Sequence, residues 1–268
     1  MPAPNSISIE ALSREIGTRS APVLIDVCID EDYELDPRLI PTATRLPHKD
    51  IRSWAENFHA QELVVICQKG LKLSMGAAAF LRSESINARY LIGGNHAWRD
   101  AVLPLIPAKQ FSLDHTQPSL WATRSDSDTD ALACAWLIRR FVDRKAKFLF
   151  VEAEQVEAVA EKYDAIPFAI PDVFWSAEGD NSAFDKMLRE FDLDTKPLQQ
   201  LASLIKMPDQ EGSSDLTQIN GLRVALAGSG EVFNEEIARL DARLLIYDSY
   251  YMWLRNIVKN GDTGGDDA

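Results

Sequence analysis

Three short apolar runs, each followed by a segment of helical character, constrain the fold of the first half of this 268-residue chain. The runs are VLIDV, LVVIC and ARYLIGG, which begin at residues 23, 63 and 88. Short apolar runs with many β-branched residues are typical of buried strands. Helical segments are predicted at residues 50–59, 72–85 and 95–103. Because strands that alternate with helices form parallel βαβ units, the sequence predicts an α/β fold with ligand sites at the carboxyl ends of its strands.

Prolines in the stretch 104–118 end this alternation and divide the chain. We therefore predict a first domain at residues 1–107, a linker at 108–118 and a second domain at 119–258. Several amphipathic helical patterns and one short strand pattern predict that the second domain is mainly helical, of the α+β type. Residues 259–268 are polar, rich in glycine and acidic, so we predict a disordered tail there.

Composition limits the kinds of partner and compartment. The net charge is −13, and the acidic second half has no basic stretch, which argues against nucleic acid as a partner. No run reaches the ~18 apolar residues of a membrane helix, and the N-terminus lacks the pattern of a secretory signal, so no membrane partner is expected. The three cysteines form no CxxC pair and are expected to be reduced thiols, which predicts a cytoplasmic location.

Cys67 ends the second apolar run, immediately before a predicted helix. Gly70 allows a tight turn there, and Lys69 and Lys72 add positive charge. Backbone N–H groups and the helix dipole at such a turn stabilise a thiolate or a small anion. We therefore predict that Cys67 is a nucleophile rather than a buried structural thiol. The arginine of the C-x5-R phosphatase motif would fall at Leu73, so the phosphoryl clamp is absent and a persulfide suits the loop better.

Residues 67–74, CQKGLKLS, resemble the C-x-x-G-x-[RK]-S active loop of the rhodanese family of sulfurtransferases. LIDV (24–27), PTATRLP (41–47) and LIGGNHAW (91–98) are similar to other landmarks of that family, in order and spacing. The resemblance implies a doubly wound parallel sheet in which Cys67 takes sulfane sulfur from an anionic donor such as thiosulfate. It also implies a thiol or cyanide-like acceptor, no cofactor, and substrate binding by Gln68, Lys69, Gly70, Leu71 and Lys72. One departure is Cys28, which stands where the family often has arginine.

The second half resembles the chromate-resistance protein domain in three segments, at residues 121–143, 166–188 and 244–253. Polar residues in these segments form a candidate anion or metal pocket, which comprises Arg124, Asp130, Cys134 and Asp180. Asp130 and Cys134 are four residues apart and share a helix face, and the alternative for them is a capping acid and a small core thiol. Ala177 and Ser182 stand where the resemblance leads us to expect histidine and cysteine, so no metal ligands are assigned.

Together these patterns predict a rhodanese-type transferase, similar to thiosulfate sulfurtransferase, fused to a chromate-resistance domain. Sulfur would move through a Cys67 persulfide. The alternative is a non-catalytic sensor or accessory protein of oxyanion or metal stress, in which the loop binds an anion without turnover.

Overall fold

The computed structural model describes three stretches of the chain, residues 5–107, 117–206 and 216–263. The chain divides into two compact units, which comprise residues 1–119 with 140–145 and residues 120–139 with 146–268. Most of the predicted linker, residues 108–116, lies outside the described stretches. Within those stretches, no helix combines the length and the apolar character needed to cross a membrane.

A parallel sheet is the framework of the first unit. The strands of this unit in the described residues are β1 (Ser6–Ile7), β2 (Val23–Asp26), β3 (Arg38–Leu39), β4 (Thr44–Arg45), β5 (Leu63–Ile66), β6 (Ala88–Leu91) and β7 (Ile106–Pro107). Five of them form the sheet in the order β1-β6-β5-β2-β4, while β3 and β7 form a separate antiparallel pair. The central strands β2 and β5 pair from Val23–Leu63 to Asp26–Ile66, and β5 is buried along its whole length. The predicted α/β class is confirmed.

Helices connect these strands and form the rest of the first unit's core. They are α1 (Ile9–Glu15), α2 (Asp30–Leu35), α3 (Ile51–Trp54), α4 (Lys72–Ser83) and α5 (Gly94–Asp100). Ser8 caps α1, because its hydroxyl oxygen accepts a hydrogen bond from the Ala11 N–H at 3.2 Å. Helix α4 follows β5, and α5 follows β6, so both helices begin at the carboxyl edge of the sheet.

The second unit joins a small parallel sheet to a larger set of helices. Its strands in the described residues are β8 (Leu120–Arg124), β9 (Lys147–Val151) and β10 (Ile166–Pro167), in the order β10-β8-β9. Its helices in those residues are α6 (Thr129–Leu137), α7 (Val156–Tyr163), α8 (Ala183–Glu190), α9 (Lys196–Ile205), α10 (Leu216–Val232) and α11 (Glu236–Thr263). The prediction of a mainly helical second region is confirmed.

Two elements of the second unit differ from the sequence patterns. Residues 128–143 have an amphipathic pattern that predicts a helix with one exposed face. The helix is instead buried on every side from Ala131 to Leu137, since α8 and α11 both pack against it, and it ends in a π-helical turn. Helix α11 continues to Thr263, five residues into the predicted tail, and residues 264–268 lie outside the described stretches. Continuation of an established helix adds one hydrogen bond per residue, which offsets the poor helix propensity of Asn260 and Gly261.

Candidate functional site

Cys67 lies directly after β5, at the carboxyl edge of the sheet. The end of β5 is hydrogen-bonded to the residue that follows β2, because the Val27 N–H donates to the Ile66 carbonyl at 2.8 Å. The cysteine is 4% exposed, and its Sγ donates to Ser74 Oγ on α4 at 3.1 Å. The sulfur is therefore turned toward the beginning of a helix and has a polar partner there.

The cysteine loop, which we define as residues 67–72, leaves its backbone donors open. Within the described residues, the N–H groups from Gln68 to Ser74 donate to no protein acceptor, and the first backbone hydrogen bond of this helix is donated by the Met75 N–H to the Leu71 carbonyl at 2.9 Å. Leu71 is the N-cap residue of α4 and offers no side-chain acceptor. Open N–H groups at a helix N-terminus form a binding site for an anion.

Glycines allow the loop to take this shape. Gly70 has φ +64°, and a Cβ there would lie 2.5 Å from the Gly93 nitrogen and 2.6 Å from the Gly94 nitrogen. Gly94 has φ +59°, and a Cβ there would overlap the carbonyl oxygen of Cys67. Both positions combine a left-handed backbone with a close approach between two loops, which only glycine accommodates without strain.

Backbone N–H groups at the start of α5 hydrogen-bond to carbonyl groups of the cysteine loop. The Asn95 N–H donates to the Cys67 carbonyl at 3.1 Å, and the His96 N–H donates to the Gln68 carbonyl at 3.0 Å. The Asn95 side chain donates to the Asp26 carboxylate at 2.7 Å. Asp26 is 1% exposed and also accepts from the Cys28 N–H at 2.7 Å. These bonds fix the loop carbonyls and leave the loop N–H groups free.

The role of Asn95 is not evident in the sequence. The motif GGNHAW draws attention to His96, whereas the hydrogen bonds run from the Asn95 amide group and from backbone N–H groups. The glycine pair before Asn95 is the available signal, since it marks a turn or a close backbone approach after a strand.

The predicted substrate-binding residues lie together around the cysteine loop. Lys69, Leu71 and Lys72 are exposed, Gln68 is half-buried and Gly70 is buried. In the described part of the chain, neither lysine ammonium has a carboxylate within 4.0 Å. Both positive charges are therefore available to an anion that approaches the loop.

Cys28 lies close to Cys67 and has different surroundings. It is 5% exposed, and the Asn95 amide nitrogen lies 3.5 Å from its Sγ. Burial, followed by the negative charge of Asp26, raises the pKa of the Cys28 thiol far above its ordinary value. Cys28 is thus held as a neutral thiol, which is a poor nucleophile.

Arg124 belongs to a set of charges at the end of β8. Its guanidinium pairs with Asp128, and its Nε lies 3.6 Å from Asp126. Asp128 also caps α6, because its carboxylate accepts from the Ala131 N–H at 2.9 Å. The guanidinium is therefore already neutralised by carboxylates of the same loop.

Asp130 and Cys134 fill structural positions around α6 and α8. Asp130 accepts from the N–H groups of Ala183 and Phe184 at 2.9 and 3.0 Å, at the start of α8. Burial raises the pKa of the Asp130 carboxyl, although those hydrogen bonds oppose the shift. Cys134 is fully buried, and burial followed by the charge of Asp130 raises the pKa of its thiol well above its ordinary value. Both residues have the geometry of the alternative, a capping acid and a core thiol.

The remaining candidate of the second unit lies apart. Asp180 is exposed in the turn where Glu178 pairs with Asn181, and within the described residues it forms no hydrogen bond or ion pair with Arg124, Asp130 or Cys134. Ser182, at a position where we expected cysteine from the resemblance, is the N-cap of α8 and forms a capping box with Asp185. No group of three potential ligands occurs in the stretches that the structure describes.

In comparisons with known proteins, two family models match two separate parts of the chain. Residues 8–101 match the model of the rhodanese-like domain, and residues 121–254 match the model described as ChrB, C-terminal domain. Protein ChrB of Cupriavidus metallidurans is 36% identical over 132 residues, which are 49% of this chain and 39% of that protein. The match thus spans well under half the length of that relative.

Solved structures are similar to a part of the chain. A rhodanese-like domain protein from Staphylococcus aureus is 28% identical, with 35% of this chain and 90% of that chain covered and a TM-score of 0.31. A rhodanese-related protein from Thermoplasma volcanium is 23% identical, with 38% and 97% covered and a TM-score of 0.32.

Proposed function

Because the chain belongs to the family of the ChrB C-terminal domain and joins that domain to a rhodanese-like one, we propose that it is a chromate-resistance-related sulfurtransferase that carries sulfur on Cys67. The Cys67 thiolate attacks the outer sulfur of thiosulfate, the S–S bond of thiosulfate breaks, and sulfite leaves with the bonding electrons. The enzyme then holds Cys67–S–S⁻. A nucleophilic acceptor attacks the terminal sulfur, and Cys67 departs as a thiolate. Neither half-reaction requires an oxidant, a reductant or a cofactor.

The observation that carries this proposal is the row of open N–H groups from Gln68 to Ser74 beside the sulfur of Cys67. Donors that are in place before a persulfide anion forms stabilise its charge without the cost of reorganising solvent. The hydrogen bonds from Asn95 and His96 keep the loop in this open form. Lys69 and Lys72 supply the positive charge that draws a dianionic donor to the loop.

The test is sulfur transfer from thiosulfate to cyanide, measured as thiocyanate, together with the intact mass of the protein after thiosulfate treatment. We expect thiocyanate and a gain of one sulfur atom for the wild type, and neither for Cys67→Ala. Cys134→Ala is the matched control, because it removes a fully buried thiol from the second unit. Equal background rates for wild type and Cys67→Ala, with no mass gain, would refute the sulfurtransferase.

A second function is favoured by Cys28 and by the anion-binding character of the loop itself. Cys28 replaces an arginine that the rhodanese resemblance leads us to expect, and open N–H groups bind a tetrahedral oxyanion whether or not a thiol reacts. In this function the first unit recognises an oxyanion such as chromate and does not turn it over. Binding of sulfate or molybdate, measured by calorimetry on Cys67→Ala, separates the two: wild-type affinity in this variant, without thiocyanate formation by the wild type, supports the sensor.

A further inference from the structure

A cavity of about 640 Å³ lies in the first unit, at the edge strand β4 of its parallel sheet. The lining comes from β4, the first residue of β2, residues between 54 and 61, and residues 117 and 142–145, all of which belong to this unit. The cysteine loop, which is fully described, contributes no lining residue. A volume of this size is typical of small-molecule sites. A ligand bound here would therefore occupy a site separate from the proposed sulfur carrier.

Part of the cavity lining is apolar and aromatic. Trp54 and Phe58 are both buried, and their rings meet edge to face with centroids 6.1 Å apart. The Trp54 Nε1–H donates to the Pro47 carbonyl at 2.9 Å, so this ring offers the cavity an apolar surface. The aliphatic residues of the lining are Val23, Leu46 and Val142. These surfaces suit the apolar body of a ligand, and a ring in particular, because aromatic rings pack favourably on one another.

Arg144 brings to the cavity a guanidinium that has no carboxylate partner among the described residues. Its Nη1 donates to the carbonyls of Ala21 and Pro22, the latter at 2.7 Å. Its Nε and Nη2 donate to no acceptor in the described part of the chain, and this edge of a guanidinium can bind a carboxylate or phosphate through two parallel bonds. Burial, followed by the charge of Arg140, lowers the pKa of Arg144 below its ordinary value. An anion at this position would compensate the charge.

Lys145 adds a second positive charge to the lining. It is exposed, its ammonium lies 5.8 Å from the centroid of the Phe58 ring, and it forms no ion pair with a described carboxylate. The acid of the lining is Asp143, whose oxygens already accept from the Lys145 N–H and from the N–H and hydroxyl of Ser119, at 2.6 to 2.8 Å. The cavity thus presents two cations without ion pairs and one carboxylate that neutral donors satisfy.

Thr42 is a second and independent indication of a ligand. Its Oγ1 is buried and has no hydrogen-bond partner among the described residues, which is unfavourable for a hydroxyl group. Its backbone has φ +67°, a conformation that β-branched residues rarely adopt, and its N–H donates to the Phe141 carbonyl at 2.9 Å. Residues held in such conformations cluster at ligand sites. The hydroxyl is therefore available to donate to an anion in the cavity.

We infer that this cavity binds a small organic anion with an aromatic body, either a nucleoside monophosphate or an aromatic carboxylate. Arg144 and Lys145 would hold the anionic group, and the Thr42 hydroxyl would donate to it. Trp54 and Phe58 would contact the ring of the ligand. The two ligand types share this chemistry and differ in the head group, which the experiment separates. The inference does not depend on the proposed sulfur transfer.

The first experiment is calorimetric titration of the full-length chain. The probes are adenosine monophosphate, indole-3-acetate, adenosine and inorganic phosphate. We expect one or both of the aromatic anions to bind below millimolar concentration, and about tenfold or more tightly than adenosine or phosphate, because only they combine both parts of the ligand. The tighter of the two identifies the head group. No binding of either at millimolar concentration would overturn the inference.

The second experiment repeats the titration on single variants. Lys145→Gln should weaken binding about threefold and Thr42→Val about fivefold, and neither side chain donates a hydrogen bond to the protein. Arg144→Lys keeps the charge but loses the planar fork, so it should weaken binding about tenfold. The matched control is Lys49→Gln, an exposed lysine of the same unit outside the lining, which should bind as the wild type does.

A final pair of variants separates this site from the cysteine loop, which is itself suited to anions. Lys69→Gln and Cys67→Ala should both bind the aromatic anion with wild-type affinity. Weakening by Lys69→Gln but not by Lys145→Gln would place the anion at the cysteine loop and overturn the inference. Loss of thiocyanate formation in an otherwise normal titration would refute the sulfurtransferase and leave this site standing.

Discussion

The two units contain the same supersecondary element, a parallel strand that leads into a helix, and they complete it in opposite ways. In the first unit, β5 leads into α4, whose first N–H groups have no acceptor among the described residues. In the second, β8 leads into α6, and the Asp128 carboxylate accepts from the first turn of that helix. A helix N-terminus binds a foreign anion only where the chain has not supplied its own acceptor.

Helix α8 extends the contrast. Its N-terminus is occupied twice, by the Ser182 hydroxyl and by the Asp130 carboxylate from α6. The two cysteines differ in a similar way. Cys67 lies beside N–H groups that have no acceptor among the described residues, whereas Cys134 lies within α6, where burial raises the pKa of its thiol well above its ordinary value. The proposed function therefore depends on two features of the first unit, a thiol at a strand-to-helix junction and N–H groups there that the chain leaves without an acceptor.

The largest effect is expected from a substitution that displaces the backbone at the β5–α4 junction, which we call the open junction because its N–H groups have no acceptor among the described residues. In Gly94→Ala, the new Cβ would overlap the Cys67 carbonyl oxygen and would lie 2.5 Å from the Gly70 nitrogen, at a φ of +59°. We expect sulfur transfer from thiosulfate to cyanide to fall by on the order of 10²-fold, because the loop must move from its reactive geometry.

Gly76→Ala is the control for that substitution. Gly76 is exposed in α4, and a Cβ there meets nothing within 4 Å. This variant should keep its transfer rate and gain about 0.5–1 kcal/mol of unfolding free energy, since alanine is the better helix former. Comparable rates for the two alanine variants would show that loop shape does not limit the reaction.

Removing the carboxylate that caps α8 should lower the free energy of unfolding without creating sulfurtransferase activity. In Asp130→Ala, the N–H groups of Ala183 and Phe184 lose their acceptor, and we expect the second unit to lose about 2 kcal/mol of unfolding free energy. Urea unfolding measures this loss, and Asp180→Ala removes an exposed acid of the same unit as its control. An unchanged unfolding midpoint for Asp130→Ala would mean that the cap contributes nothing.

The same carboxylate predicts a pH dependence. Burial raises the pKa of Asp130 above its ordinary value of about 3.9, so the folded protein binds this proton more tightly than the unfolded chain does. The stability that follows from this is fully present below the ordinary pKa and is lost as the pH rises through the raised one. As the pH rises between the ordinary and the raised pKa, the free energy of unfolding of the wild type should therefore fall relative to that of Asp130→Asn. Urea unfolding at a series of pH values measures this difference.

A smaller effect is expected when the open junction is filled by a side chain. Leu71 is the exposed N-cap of α4, and Leu71→Asp places a carboxylate where it can accept from the first turn. We expect loading by thiosulfate to slow about tenfold, through competition for the donors and repulsion of a dianion. Leu71→Asn supplies an acceptor without charge and separates the two causes. Wild-type loading rates in Leu71→Asp would contradict the assignment of these N–H groups.

The sequence allowed prediction of those parts of the site that depend on neighbours along the chain. The apolar run that ends at Cys67, the turn at Gly70 and the helix from Lys72 are all local signals, and each is found where the pattern placed it. Contacts between distant segments carried no such signal. Asn95 reaches Asp26 across 69 residues, and Asp130 caps a helix that begins 53 residues later.

Helix α10 was not predicted for a related reason. Its sequence, LTQINGLRVALAGSGEV, contains glycines at 221, 228 and 230, which lower helix propensity. The helix packs against α9 and α11, and burial of Leu222 and Leu226 offsets that local preference. Similarly, the pattern of residues 128–143 predicted an exposed face because it cannot reveal that α11 covers it.

The smallest effect tests whether the open junction acts on the thiol itself. Ser74 Oγ lies 3.1 Å from the Cys67 Sγ and is fully buried, so Ser74→Ala removes one polar partner of the sulfur and leaves the loop N–H groups intact. On ionisation the Cys67 sulfur loses its proton and can only accept, so the Ser74 hydroxyl would then donate to it. Loss of one such hydrogen bond, worth about 1 kcal/mol, corresponds to roughly fivefold slower loading by thiosulfate.

Ser229→Ala is the matched control for this last substitution. Ser229 is also buried, and its hydroxyl donates to the Leu226 carbonyl at 2.6 Å in the second unit. Both variants should lose a similar amount of unfolding free energy, while only Ser74→Ala should load more slowly, because only that hydroxyl contacts the reacting sulfur. Equal loading rates in the two variants would assign Ser74 to packing and leave stabilisation of the sulfur anion to the backbone donors alone.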